Sequence, residues 1–307
     1  MNELEAVERI RRLAAGARGK GVKLGIGDDC AIYQSPGARE DLLLTTDMVI
    51  EDIHFRASTH PPDAVGWRAA ARALSDIAAM GGTPRFVLVS LALAGWTDRR
   101  WLDRFYGGLL RLVRRSGAVL AGGDLGHAER IYCDMVAGGV VPHGTALRRD
   151  GARAGDSIWV SGELGGSALG FETGHGAAWR RHLYPEPRLE LGRYLSSRLK
   201  ATAAMDLSDG LSIDLHRLAK ASGLKARLDR PLPVARGATL DQALHGGEDY
   251  ELLFTLPAGV EPPARSKGLP LTRVGTMEKG KAGAVEFFGR PLAPGGYDHL
   301  RPTKTQV

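Results

Sequence analysis

The chain is poor in cysteine, in long apolar runs and in clustered aromatics, and each shortage removes a class of protein. Only Cys30 and Cys133 occur among the 307 residues. They form no C-x-x-C, and no histidines are paired at metal-ligand spacing. This excludes a zinc site and a disulfide framework and points to a reducing compartment, the cytoplasm. The longest apolar run, FVLVSLALAGW from Phe86, is about half of the roughly 20 residues a membrane helix needs, and reads as a buried strand. The start, MNELEAVERIRRLAAG, is charged and has no secretory pattern. No membrane association is expected. The 41 Lys and Arg are interleaved with acids rather than gathered beside rings. A formal charge of +6 therefore predicts no nucleic-acid platform, and suits a phosphorylated small molecule equally well. No repeat of solenoid length is present.

The usual nucleotide signatures are missing too. There is no HRD with DFG, and the nearest approach to a Walker A loop, GTMEKGKA at 275–282, has Ala282 where a hydroxyl should ligate Mg²⁺. That segment reads as an ordinary hairpin. Ser208, between Asp206 and Asp209, lacks the G-x-S-x-G elbow of a hydrolase nucleophile. The turn GELGGSALG at 162–170 offers amides to a phosphate, but glycine turns before helices are common without ligands.

What remains is an ordinary enzyme composition, 43% hydrophobic and 25% charged, over a length that predicts two domains. Leu4, Val7, Ile10 and Leu13 mark one stripe of an amphipathic first helix. DLLLTTDMVIEDIHF begins as a strand and turns polar at Thr45, Thr46 and Asp47, as at a strand end; His54 reads as a half-exposed strand residue. A helix is expected from Pro62 to the stop at Gly81 and Gly82, and a second from N-cap Thr97 to Gly117. Between them lies the strand from Phe86, and after them a short strand ending at Asp124. The polar stretch from Ala146 to Asp156 marks the boundary between domains 1–148 and 149–307. In the second half, a strand SIWVSG, a helix from about Gly210 to Ala221, a strand from Tyr250 and strands near Thr272 and Val285 give an α/β (α+β) pattern.

Acidic residues recur at element ends beside Gly, Ser or Thr: Asp28 and Asp29, Asp47, Asp76, Asp124, Asp206 and Asp209, Glu248 and Asp249. A single such Asp reads as a cap or Asx-turn. Several brought to one sheet edge would repel unless divalent cations neutralised them, and carboxylates with hydroxyls suit Mg²⁺ shared with substrate phosphates. The adjacent carboxylates of GIGDDCA pose the same problem at close range.

Taken in order, GIGDDCA, TTDMVIEDIHF, LSDIAAMGGTPR, AGGD, LRRDGARAGD, MDLSDGLSIDL and HGGEDYELLFT resemble the thiamine-monophosphate kinases, from about residue 20 to the closing GGYDHL. The resemblance implies the two-domain fold of aminoimidazole ribonucleotide synthetase, with N-terminal strands building a homodimer interface. It implies transfer of the γ-phosphoryl group of ATP to thiamine monophosphate, with several Mg²⁺ ions. Asp29, Thr45, Thr46, Asp47, Asp76, Asp124, Asp206 and Asp209 would be metal ligands. Gly123, Asp124, Arg149 and Ser208 would contact ATP. His54 and Glu248 would touch thiamine monophosphate, and Asp209, Asp47 and Arg149 would carry the transfer. The family's aromatic residue before the closing motif is replaced here by Pro294, which leaves Tyr297 as the candidate for the substrate ring. Two alternatives stay open: another ATP-dependent synthetase of this fold, and a non-catalytic nucleotide-binding protein.

Overall fold

The period-two placement of side chains on a strand decides what the longest strands of the first half present to each side. In this computed structural model, which describes residues 3–14, 19–297 and 300, the first half holds helix α1 (Glu3–Ala14) and strands β1 (Val22–Leu24), β2 (Ala31–Tyr33) and β3 (Glu40–Ile50). Helix α2 (Pro62–Ala79), β4 (Thr83–Ala94), α3 (Arg99–Arg115), β5 (Val119–Ala128) and β6 (Tyr132–Pro142) follow. The six strands form one sheet in the order β1-β2-β3-β6-β4-β5, antiparallel except where α3 carries the chain between the parallel β4 and β5. Leu43 and Val49 of β3 are buried toward α2, whereas Thr46 and Met48 face outward.

The second half begins with β7 (Ser157–Ser161), α4 (Gly166–Thr173), α5 (Gly176–Leu183), α6 (Leu189–Tyr194) and β8 (Ala203–Asp206). It continues with α7 (Leu211–Ala221), β9 (Lys225–Leu228), α8 (Leu240–His245) and β10 (Leu252–Leu256). Strands β11 (Arg265–Ser266), β12 (Leu269–Glu278), β13 (Val285–Phe287) and β14 (Arg290–Pro291) complete it. Its sheet runs β14-β13-β9-β12-β7-β10-β8, with β11 paired to β12.

Helix α2 joins the halves. Its run of alanines is buried almost all round, as expected of a helix packed on every side. It rests on β3 and β6, crosses α3, and meets α6 and β8 from the second half. Where it crosses α3 only glycine fits: a Cβ on Gly108 would lie 1.8 Å from the Asp63 carbonyl oxygen. Ala79 shares a core with Trp159, Leu195 and Phe254 of the second half. Cys30 and Cys133 are both free and buried, and Cys30 packs as a small apolar residue in the first core.

Several expectations are corrected. Strand β3 does not end at Asp47 but runs to Ile50, because its outward residues lie on a sheet face rather than past a sheet edge. His54 sits in a turn, its Nδ1 accepting the Ile50 N–H at 3.0 Å. The cap of α3 is Asp98, whose carboxylate accepts from the Trp101 N–H, while the Thr97 hydroxyl donates to the Ala94 carbonyl. Strand β5 continues four residues past Asp124, to Ala128. GTMEKGKA is not a hairpin, since β12 and β13 both pair with β9, which lies between them. Tyr250 precedes β10 with φ of 51°. Among the described residues none of helix α1 is fully buried, and Val7, Ile10 and Leu13 of its apolar stripe are exposed. Asp298 and His299 of the closing GGYDHL lie outside the described residues.

Candidate active site

Three carboxylates from three separate elements converge where the halves meet. Asp29 lies in the loop before β2, Asp76 on the last turns of α2, and Asp206 at the end of β8. One oxygen of each lies within 4.8 Å of the others. Burial pushes Asp76 well above the usual carboxylate range, and the charges of Asp206, Asp47 and Asp29 push it further. Burial does the same to Asp206, aided by Asp29. A buried carboxylate trio is relieved only by retained protons or by a cation, and its donors are hard oxygens of the kind a small divalent ion takes. The Thr45 hydroxyl joins this side of β3, donating to Asp76 Oδ2 at 2.5 Å.

The GIGDDCA pair divides its work. Asp28 is pushed up to about 7 by burial and by Asp29, against the opposing pull of Arg149. Its carboxylate accepts the backbone N–H of Asp29 at 3.0 Å and that of Arg149 at 3.1 Å, so it shapes the loop. Asp29 instead faces the trio and takes two hydrogen bonds from Arg149, Nη2 to Oδ1 at 2.7 Å and Nε to Oδ2 at 3.3 Å. Arg149 thus supplies part of the missing positive charge.

Beside the trio opens a cleft whose walls include His54, Arg72, Phe171, Ser208, Asp209, Glu248 and Tyr297. Sequence reasoning missed the residue that ties the cleft to Asp47, whose charge acts on Asp76 of the trio. Arg72 donates from Nε and Nη2 to Asp47 Oδ1 at 3.0 and 2.9 Å, and from Nη1 to Glu248 Oε1 at 3.4 Å and the Tyr250 hydroxyl at 3.0 Å. Burial alone would raise Glu248, but the guanidiniums of Arg68 and Arg72 hold it well below the carboxylate range. Asp209 pairs with Arg217. The buried Asp214 accepts the N–H groups of Asp209 and Gly210, both at 3.1 Å, and so fixes the LSDG turn at the start of α7. An acid in the first turn of a helix was the available signal for Asp214. Two arginines four apart in an otherwise Ala-rich helix were the signal for Arg68 and Arg72.

Gly123, Asp124 and Thr46 are not brought to the trio within one chain. Asp47 and Gly123 share a register row with Met135 and Val89, but Gly123 is three strands away on β5. A Cβ on Gly123 would lie 1.9 Å from the Val89 carbonyl oxygen, which explains the glycine. Asp124 lies on the outward face, in the row of Ser90 and Asp134. Thr46 points to that same face, its hydroxyl donating to Asp134 Oδ1 at 2.6 Å. Pro294 and Tyr297 are described, and the Tyr297 N–H donates to the Asp209 carbonyl at 3.3 Å.

Two mixed α/β halves meeting at a carboxylate trio define an AIR synthase related protein. Residues 27–141 match the N-terminal domain of that family and residues 153–287 its C-terminal domain. More particularly, the chain is 38% identical over 309 aligned positions to the thiamine-monophosphate kinase of Salmonella typhimurium, covering 91% of this chain and 92% of that one. It is 35% identical to the thiamine-monophosphate kinase of Aquifex aeolicus, covering 90% and 92%. The solved structure of AaThiL complexed with AMPPCP and TMP superposes with a TM-score of 0.86 over 97% of each chain at 32% identity. The chain belongs to the thiamine-monophosphate kinase family.

Proposed function

We propose that this protein transfers the γ-phosphoryl group of ATP to thiamine monophosphate, giving thiamine diphosphate and ADP. The observation that carries the reading is the continuity of the trio with the cleft: Asp47, Arg72 and Glu248 link a cation-seeking carboxylate cluster to a pocket lined by His54, Ser208 and Tyr297. The names of the relatives supply the acceptor, and the AMPPCP and TMP held by the AaThiL structure support ATP as the donor.

The chemistry asks little of a base. The acceptor is a phosphate monoester whose second pKa is about 6, so its attacking oxygen is an anion at neutral pH. The obstacle is repulsion between two polyanions, and the site must supply positive charge and in-line alignment. Asp29, Asp76 and Asp206, with Thr45 and Asp47 beside them and Asp209 on the cleft side, would hold Mg²⁺, which when bound supplies charge against the triphosphate oxygens. Arg149, already aimed into the trio, offsets charge on the donor side. Arg72 lies between donor and acceptor sides, and His54, Glu248 and Tyr297 line the acceptor cleft. Ser208 borders the same cleft, and its carbonyl accepts the Glu248 N–H at 2.7 Å.

Gly123, Asp124 and Thr46 join the reading through a homodimer. The outward face of the first sheet exposes Met48, Val119 and Tyr132, and β5 is its open edge. A second copy covering that face would enclose Asp124, Asp134 and Thr46. We place the domain division at residues 148 and 149. The buried free thiols support a cytoplasmic setting, and no helix among the described residues is long and apolar enough to cross a membrane.

Incubation of the purified protein with ATP, Mg²⁺ and thiamine monophosphate should yield thiamine diphosphate. ATP turnover with another acceptor would move the reading to the synthetases of this fold, and binding without turnover to a non-catalytic role.

A further inference from the structure

We propose that Arg68 is the positioning residue of the acceptor cleft, setting the Glu248 carboxylate and the main chain at His54 and His182 with one guanidinium. The inference rests on reading this cleft as the acceptor site. Arg68 sits in the middle of α2 with its side chain 1% exposed, among alanines and Trp67. Its Nη2 donates to Glu248 Oε1 at 2.6 Å and to the His54 carbonyl at 3.2 Å, and its Nη1 donates to the His182 carbonyl. Those three acceptors belong to the turn before α2, the end of α5 and the turn after α8. All three residues line the cleft.

Two features separate positioning from simple structural support. First, burying a guanidinium is costly unless every donor is paired, and Arg68 Nε finds no hydrogen-bond partner among the described residues. A Met or Leu of similar volume would avoid that cost, so the residue is a poor choice for stability alone. Second, the Glu248 backbone is held without Arg68. Glu248 and Tyr250 both have positive φ, 64° and 51°, an unfavourable conformation for residues other than glycine. Their N–H groups donate to the Ser208 and Leu207 carbonyls at 2.7 and 3.0 Å, which pins the turn to the start of the LSDG segment. Removal of Arg68 therefore frees the direction of the Glu248 carboxylate while the turn stays in place. Arg72 cannot replace it: its contact with Glu248 is longer, 3.4 Å, and its stronger bonds go to Asp47. Because the three anchors face the acceptor side and not the trio, the effect should fall on the acceptor and spare ATP.

The test is steady-state kinetics with each substrate varied separately, on wild type, R68M, R68K, E248Q and the double variant R68M/E248Q. R68M should raise KM for thiamine monophosphate about 10-fold or more while KM for ATP moves by less than about 2-fold. R68K, which keeps the charge but lacks the planar fork, should recover only part of that loss and leave KM for thiamine monophosphate about 2-fold or more above wild type. In the E248Q background R68M should add less than about 2-fold, because the two residues act as one unit. Equal changes in both KM values, or full multiplication of the two effects, would overturn the proposal. If R68M does not fold, R68K carries the test: a rise in KM for thiamine monophosphate alone, of about 2-fold or more, supports the proposal, and wild-type kinetics overturn it. E248Q alone tests the underlying reading: an unchanged KM for thiamine monophosphate would show that the cleft is not the acceptor site, whatever Arg68 does.

Discussion

Replacing Asp76 with Asn should stabilise the metal-free protein while removing its response to Mg²⁺. The trio sets three carboxylate oxygens within 4.8 Å of one another. At that separation two full charges repel by about 3.5 kcal/mol at an effective dielectric of about 20. The protein avoids the full cost by keeping protons, as the raised Asp76 and Asp206 show. Holding one costs about 1.4 kcal/mol for each pH unit above the ordinary carboxylate value of about 4. The sign follows: groups raised in the fold lend stability below pH of about 4 and lose it as pH rises toward their folded values. Asp76→Asn keeps an oxygen for the Thr45 hydroxyl and needs neither a charge nor a held proton at that position. The metal-free variant should gain about 3 kcal/mol over wild type at pH 8, or roughly 5 °C in Tm for a chain of this length, and only about 1 kcal/mol at pH 5. Thermal melts in EDTA and in Mg²⁺ at both pH values read this out. Wild type should rise in Mg²⁺, most at pH 8, and the variant should not. A variant that melts at or below wild type in EDTA at pH 8, or that keeps the full Mg²⁺ response, would refute the reasoning.

Three further outcomes follow from the same structure. Asp209→Asn should lower turnover by about 100-fold or more with Tm held within a few degrees, since Asp214 and Arg217 keep the turn in shape; near-normal turnover would remove Asp209 from the chemistry. His60 and His182, whose Nε2 atoms lie 3.2 Å apart, are lowered to about 4 and about 3 by burial first and by Arg68 second. Each should therefore stay neutral at pH 5 and contribute stability that is lost as pH falls from about 6.5, roughly 2 kcal/mol per ring by pH 5; imidazole NMR showing either ring titrating near pH 6.5 would contradict this. Gly108→Ala forces a Cβ against the Asp63 carbonyl and must separate α2 from α3. It should cost about 1–3 kcal/mol in urea unfolding, and an unchanged midpoint would mean the crossing can relax.

Much of the site was legible because its acids stand at element ends, where glycine and hydroxyl neighbours mark a turn. Asp29, Asp76 and Asp206 meet although they lie far apart in sequence. The strand TTDMVI was harder. Thr45 and Thr46 are equivalent in a motif, yet the pleat sends one to Asp76 and the other to Asp134 on the opposite face. Gly123 and Asp124 likewise share a motif with the site but lie on a different face or a distant strand within the single chain. Arg68 and Arg72 escaped notice because arginines in an amphipathic helix ordinarily mark its solvated face. Helix α2 has no such face, being packed by both halves of the chain. The pairing of β12 and β13 with β9 was also hidden, since short segments separated by a turn look the same whether they pair with each other or with a third strand.

The most direct test of the account follows the terminal phosphoryl group of ATP. With γ-labelled ATP, Mg²⁺ and thiamine monophosphate, label should appear in the terminal phosphate of thiamine diphosphate, with one ADP formed for each product molecule. Label released as inorganic phosphate, or ADP formed with no thiamine diphosphate, would contradict it.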